Sequence, residues 1–298
     1  MVPVKTIALI LALAPAAAAE VRDASPAGQV PPPPPALTAR ANTPDLAQQA
    51  WQAYEQGDFP AALAAFQQLL QTAPSDATLW YNAGCLQALL KDPAAARSSL
   101  ARALRLNPYL AAAHDALGQL AEQQGDLEEA WVGYRNGVAI EPEEPKYLWH
   151  LGRIQLKRNR PVDARQELWR LLMADPAHVP ARYALGVLDL RAEQPDLAIQ
   201  EFHEVVERQP DHVMAWNGLA VAYARIGEHV ASAEALEHAK SLAPEDPVTR
   251  THEGLLAAYE QRWQQARTVW QQVVALHPGF APAERNLQAM QALQETTR

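Results

Sequence analysis

A single repeat period constrains this chain more than any other feature. Laid against itself, the sequence recurs every 34 residues, and seven units run over residues 43–280 without insertion or deletion. The eighth place of each unit is small: Ala50, Gly84, Gly118, Gly152, Gly186, Ala220 and Gly254. So is the twentieth: Ala62, Ala96, Ala130, Ala164, Ala198, Ser232 and Ala266. The thirty-second is always proline: Pro74, Pro108, Pro142, Pro176, Pro210, Pro244 and Pro278. Small residues in two columns let paired helices approach closely, and a proline past the second helix stops it by lacking an N–H and restraining the residue before it. The twenty-fourth place is large and apolar throughout, from Phe66 and Leu100 to Leu236 and Trp270. Turn signals such as Gly57-Asp58, Gly125-Asp126 and Gly227-Glu228 separate the two helices, and Asp58, Asp92 and Asp126 stand where N-caps are wanted. Units four and five replace the turn by Asn159-Arg160-Pro161 and Glu193-Gln194-Pro195, which keeps its length but changes its chemistry.

On these columns the chain resembles the tetratricopeptide repeat (TPR) family. The resemblance implies an all-α, α-α superhelical solenoid of seven helix-turn-helix repeats, at 43–76, 77–110, 111–144, 145–178, 179–212, 213–246 and 247–280. Residues 281–298 resemble a capping helix and tail, with Leu287, Met290 and Leu293 on one face. Unit seven departs from the pattern with Arg250 and Glu253 where apolar residues are usual, as unit five does with Arg182.

Ahead of the repeats, residues 1–19 read as an export signal. Lys5 supplies the positive end, residues 6–13 an apolar stretch, and Ala17-Ala18-Ala19 a cleavage pattern before Glu20. The stretch is short for a membrane span and Pro15 interrupts it, so cleavage and a periplasmic location are expected, with secretion or a retained anchor as alternatives. Residues 20–42 are rich in Ala and Pro, with five prolines at 31–35, and read as a disordered spacer of polyproline II character. The net charge of −9 and the lack of a long basic run argue against nucleic-acid binding. The single cysteine, Cys85, can form neither an internal disulfide nor a zinc site on its own, and reads as a small apolar residue.

Catalytic motifs are near-misses. His203-Glu204-Val205-Val206-Glu207 has Glu207 where a zinc-protease helix needs a second histidine. In the repeat frame Val205 and Val206 pack while His203, Glu204 and Glu207 face solvent. No Walker loop, dinucleotide-binding glycine run or nucleophile elbow is present. We therefore expect no enzyme, cofactor or metal.

The family resemblance also implies where binding occurs: places two, five, nine, twelve and thirteen of each unit line a concave groove. Trp51, Tyr54, Tyr81, Trp149 and Tyr183 then form its aromatic part. Lys157, Arg191 and Arg225 occupy one place in successive units and form a basic ladder, with Arg153 and Asn217 beside it. Family members that grip the acidic tails of cytosolic heat-shock chaperones carry a Lys/Asn clamp, of which only Asn82 is matched here; Ala47, Trp51, Ala112 and Ala116 stand at other clamp places. The expected function is a protein-interaction scaffold or adaptor of the bacterial cell envelope. It would bind a peptide or protein segment, with acidic groups near the ladder, as an assembly factor for secretion, pili, exopolysaccharide export or cytochrome maturation. The alternative is a non-catalytic regulatory or substrate-presenting subunit of a periplasmic enzyme complex.

Overall fold

A computed structural model describes residues 44–296. The expected leader (1–19), spacer (20–42) and Thr43 lie outside the described residues, as does the side-chain placement expected of Leu293. Fifteen α-helices follow one another over the described residues, with no strand among them. They are α1 (Pro44–Glu55), α2 (Phe59–Thr72), α3 (Ala77–Leu89), α4 (Pro93–Leu106), α5 (Ala111–Gln123), α6 (Leu127–Ile140), α7 (Pro145–Lys157) and α8 (Pro161–Ala174). Then come α9 (Val179–Arg191), α10 (Pro195–Arg208), α11 (Val213–Ile226), α12 (His229–Leu242), α13 (Pro247–Tyr259), α14 (Trp263–Leu276) and α15 (Ala281–Thr296). Odd-numbered helices up to α13 open a hairpin and even-numbered helices close it. The described residues fall into two compact units, 44–176 and 177–296, the first holding hairpins one to four and the second the remainder.

The small columns do what their size suggests. A Cβ on Gly118 would sit 2.7 Å from the Tyr134 ring and 3.0 Å from the Ala130 carbonyl oxygen, so places eight, twenty and twenty-four of one hairpin meet. Ala62, Ala96, Ala130, Ala164, Ala198 and Ala266 are fully buried. Ser232 fits their column because its Oγ donates to the Ala220 carbonyl at 2.7 Å, leaving no orphaned hydroxyl. Phe66, Leu100, Tyr134, Leu168, Phe202 and Trp270 are buried opposite them.

The turn inside each hairpin has one backbone form whatever its sequence. Gly57, Gly125 and Gly227 take positive φ of 76–84°, and Lys91, Asn159, Glu193 and Gln261 take 57–62° in the same column. Four hairpins thus hold a side chain in the left-handed region, at about 1–2 kcal/mol each. The altered turns of hairpins four and five therefore change chemistry without changing path. Asp58, Asp92 and Asp126 cap α2, α4 and α6 by accepting backbone N–H bonds at 2.9–3.0 Å, whereas α8, α10, α12 and α14 have no side-chain cap.

Candidate binding face of the first helices

In the N-terminal unit, α5 and α7 are the first helices of adjacent hairpins, and side chains 31 and 35 residues apart meet across them. Asp115 has no exposed surface; its carboxylate accepts from Lys146 Nζ at 3.0 Å and Gln119 Nε2 at 2.8 Å, and lies 2.5 Å from His150 Nδ1. Seven residues on, Glu122 accepts from Arg153 Nη2 at 2.7 Å, Lys157 Nζ at 2.6 Å and the Tyr134 hydroxyl at 2.6 Å. Burial pushes both carboxyls up, but the facing groups outweigh it: His150 and Lys146 hold Asp115, and Arg153, Lys157 and Tyr134 hold Glu122, below the usual carboxylate range. Two acids on one helix thus engage four basic side chains on the next.

The aromatics divide by depth. Trp51 and Tyr54 are partly exposed and meet edge-on at 5.7 Å, with Trp51 also edge-on to Phe66. Tyr81 and Trp149 are only 2 % and 5 % exposed, so they pack between hairpins and offer a ligand little surface. Tyr81 adjoins Cys85, whose thiol burial pushes up to about 12 against the opposing pull of Tyr81 and Lys146. Burial thus disfavours the thiolate, the form in which a cysteine attacks.

The C-terminal unit uses different chemistry. Tyr183 is buried, with its ring centroid 5.8 Å from Phe202 and 5.0 Å from His212. Asn217 is buried and donates from Nδ2 to Thr249 Oγ1 at 2.9 Å; Thr249 in turn donates to Asp246 at 2.9 Å. Arg225 Nη1 donates at 2.5 Å to the carbonyl of Leu190, at the negative end of α9. Burial pushes Tyr259 up to about 12, with Arg225 opposing. Arg191 is exposed at the end of α9. Within the protein Lys157 is engaged by Glu122, and Arg225 by a helix end. Sequence reasoning places Asp115, Gln119, Glu122 and Gln123 of the third unit on the same groove face, but missed that Glu122 engages Lys157 and Arg153. The signal was present, because Glu122 precedes them by 35 and 31 residues, as Asp115 precedes His150 and Lys146.

His203, Glu204 and Glu207 lie with Arg182 and Glu201 around an open depression of about 440 Å³, while Val205 and Val206 are buried. His203 Nε2 is 2.6 Å from the Tyr223 hydroxyl, and Glu204 pairs with Arg208 at 3.4 Å. Among the described residues no three His, Cys, Asp or Glu side chains are grouped to hold a metal, and no helix is long and apolar enough to cross a membrane.

Family models described as tetratricopeptide repeat match residues 48–111, 183–247 and 254–279, together just over half of the chain. The chain belongs to the tetratricopeptide repeat family. Solved structures of like fold include YrrB, a TPR protein with an unusual peptide-binding site, at 22% identity and a TM-score of 0.58, covering 62% of this chain and 95% of that one. A TPR protein from Parabacteroides merdae is 16% identical with a TM-score of 0.56, over 83% of this chain and 97% of its own. Pseudomonas aeruginosa pilF is 19% identical with a TM-score of 0.58, over 72% and 96%. At these identities the likeness establishes the TPR fold alone. No curated protein matches the chain at a significant level.

Proposed function

We propose that this TPR protein is a non-catalytic scaffold of the bacterial cell envelope, exported by its leader, which binds a segment of another protein along its first helices. The observation that carries the reading is the locked first-helix face of the N-terminal unit. Asp115 and Glu122 tie α5 to α7 through four polar contacts, to Lys146, His150, Arg153 and Lys157, and Glu122 also accepts from Tyr134 on α6. Such a face is preformed, so a ligand need not order it on binding. Around it remain accessible Trp51, Tyr54 and Gln123, and the outer part of Lys157. In the C-terminal unit, Arg191 and Tyr259 offer comparable groups. That YrrB has a peptide-binding site is in keeping with this use of the fold.

With the basic groups largely engaged, recognition rests on aromatic and amide contacts, and acidic groups of the partner add a salt-dependent contribution at Lys157 and Arg191. A photocrosslinker placed at Trp51, Gln123 or Arg191 is expected to capture one partner from an envelope fraction, and one at the outward Gln67 is not. Equal capture at Gln67 would remove the first-helix face from consideration. Capture of a stoichiometric enzyme would favour the regulatory-subunit alternative. Sequencing of the mature chain is expected to begin at Glu20; an intact Met1 would refute cleavage of the leader.

A further inference from the structure

The outer face of α8 differs from that of every other second helix. Val162, Gln166, Trp169 and Met173 point away from the core, and Val162, Trp169 and Met173 are 79 %, 50 % and 81 % exposed. The same four places hold Glu128, Val132, Arg135 and Ala139 one hairpin earlier, and Asp196, Gln200, His203 and Glu207 one hairpin later. Only α8 combines an aromatic, a methionine and a valine there. Their spacing of four, three and four residues is that of a coiled-coil seam, with Gln166 as its one polar member. The three apolar side chains expose on the order of 300–400 Å², about the size of the largest apolar patch on an ordinary monomer.

We infer that this face is a homodimer seam, in which α8 of one copy packs antiparallel on α8 of a second copy about a two-fold axis. The charges beside the seam select this occupant. Asp163 and Arg170 are seven residues apart and so share one flank of the helix. Antiparallel two-fold packing sets that flank against itself in reverse order, which brings Asp163 of each copy to Arg170 of the other. Asp163 is exposed, and Arg170 keeps donors beyond those used on Glu167 at 2.6 Å and the Pro142 carbonyl at 2.8 Å. Centred between Gln166 and Glu167, the same register drops Val162, Gln166 and Trp169 each between two of the partner's seam residues, with Met173 at the rim, and the two Trp169 rings flank the axis. A parallel pairing would not bring Asp163 to Arg170. This inference does not depend on the first-helix reading, because α8 presents a different face.

Sedimentation velocity on the full chain tests it. The wild type is expected to form a concentration-dependent dimer, and the Trp169→Glu/Met173→Glu double variant to be monomeric with an unchanged melting temperature. Asp163→Lys is expected to weaken the dimer at least several-fold, and Asp196→Lys, one hairpin on at the place that Val162 fills in α8, to leave it unchanged. In a Cys85→Ser background, Gln166→Cys is expected to crosslink between copies on oxidation and Gln200→Cys not to. A wild type that stays monomeric overturns the inference and leaves the seam to a different protein. A dimer indifferent to the double variant or to Asp163→Lys overturns it as well.

Discussion

The two units share one repeat and stabilise it with different chemistry. In the N-terminal unit, buried carboxylates on α5 meet basic groups on α7, and aspartates cap α2, α3, α4 and α6. In the C-terminal unit, Asn217, Thr249 and Ser232 make the buried polar contacts. There His178 and His212 cap α9 and α11, their Nδ1 atoms accepting the Ala181 and Ala215 N–H groups at 3.1 Å. A histidine caps only while that nitrogen is unprotonated; once charged it loses the acceptor and places positive charge at a helix N-terminus. Buried His252, with Nδ1 unpartnered, adds to this, since burial pushes it down to about 4. The repeat backbone thus tolerates either chemistry, but each sets its own window of acid stability.

The largest expected effect breaks the N-terminal network. Glu122→Ala removes the acid that Arg153, Lys157 and the Tyr134 hydroxyl share, and the loss of three hydrogen bonds to one carboxylate should cost roughly 3 kcal/mol. Hydrogen exchange should accelerate in hairpins three and four; Asn217→Ala in the other unit should cost only about 1–2 kcal/mol.

Acid should next separate the units. His252 and His212 both have folded values below the ordinary 6.5, the latter through burial, so the unfolded chain binds protons first. Their contribution is complete above pH 6.5 and is lost as pH falls, for His252 until about 4. That shift is worth roughly 3 kcal/mol, and His252→Leu should remove the part of the dependence between pH 6.5 and 4 that His252 supplies. Asp115 and Glu122 are held below the carboxylate range, so their stabilisation is lost only at still lower pH. Exchange measured between pH 7 and 4 should therefore loosen the C-terminal unit alone; simultaneous loosening would erase the contrast.

Smaller effects sharpen the picture. His212→Ala should cost about 1 kcal/mol at neutral pH, whereas His212→Asp should keep the cap and extend it into acid. Gln261→Gly, relieving a left-handed turn with φ of 62°, should raise stability by up to about 1 kcal/mol in a denaturant melt.

Much of this architecture was legible in the sequence. The small, bulky and proline columns imply helical hairpins, and the aspartates of three turns imply their caps. The inner face was less legible. Tyr81, Trp149 and Tyr183 occupy groove places yet are buried, because a place on a helix specifies direction and not the depth to which the next hairpin covers it. Lys157 and Arg225 read as a ladder only until their neighbours 35 residues earlier are considered. The histidine caps escaped notice because histidine is a less familiar cap than aspartate, although the place it fills holds Asp76 and Asp246 in other repeats.

The sequence alone determined the helical repeat, its period and its tight hairpins, since these depend on side-chain size and backbone restriction at fixed local spacing. The tertiary structure decided which charges remain available to a partner and which aromatics are exposed. Both depend on contacts between residues some 30 to 35 positions apart, formed only when one hairpin stacks on the next.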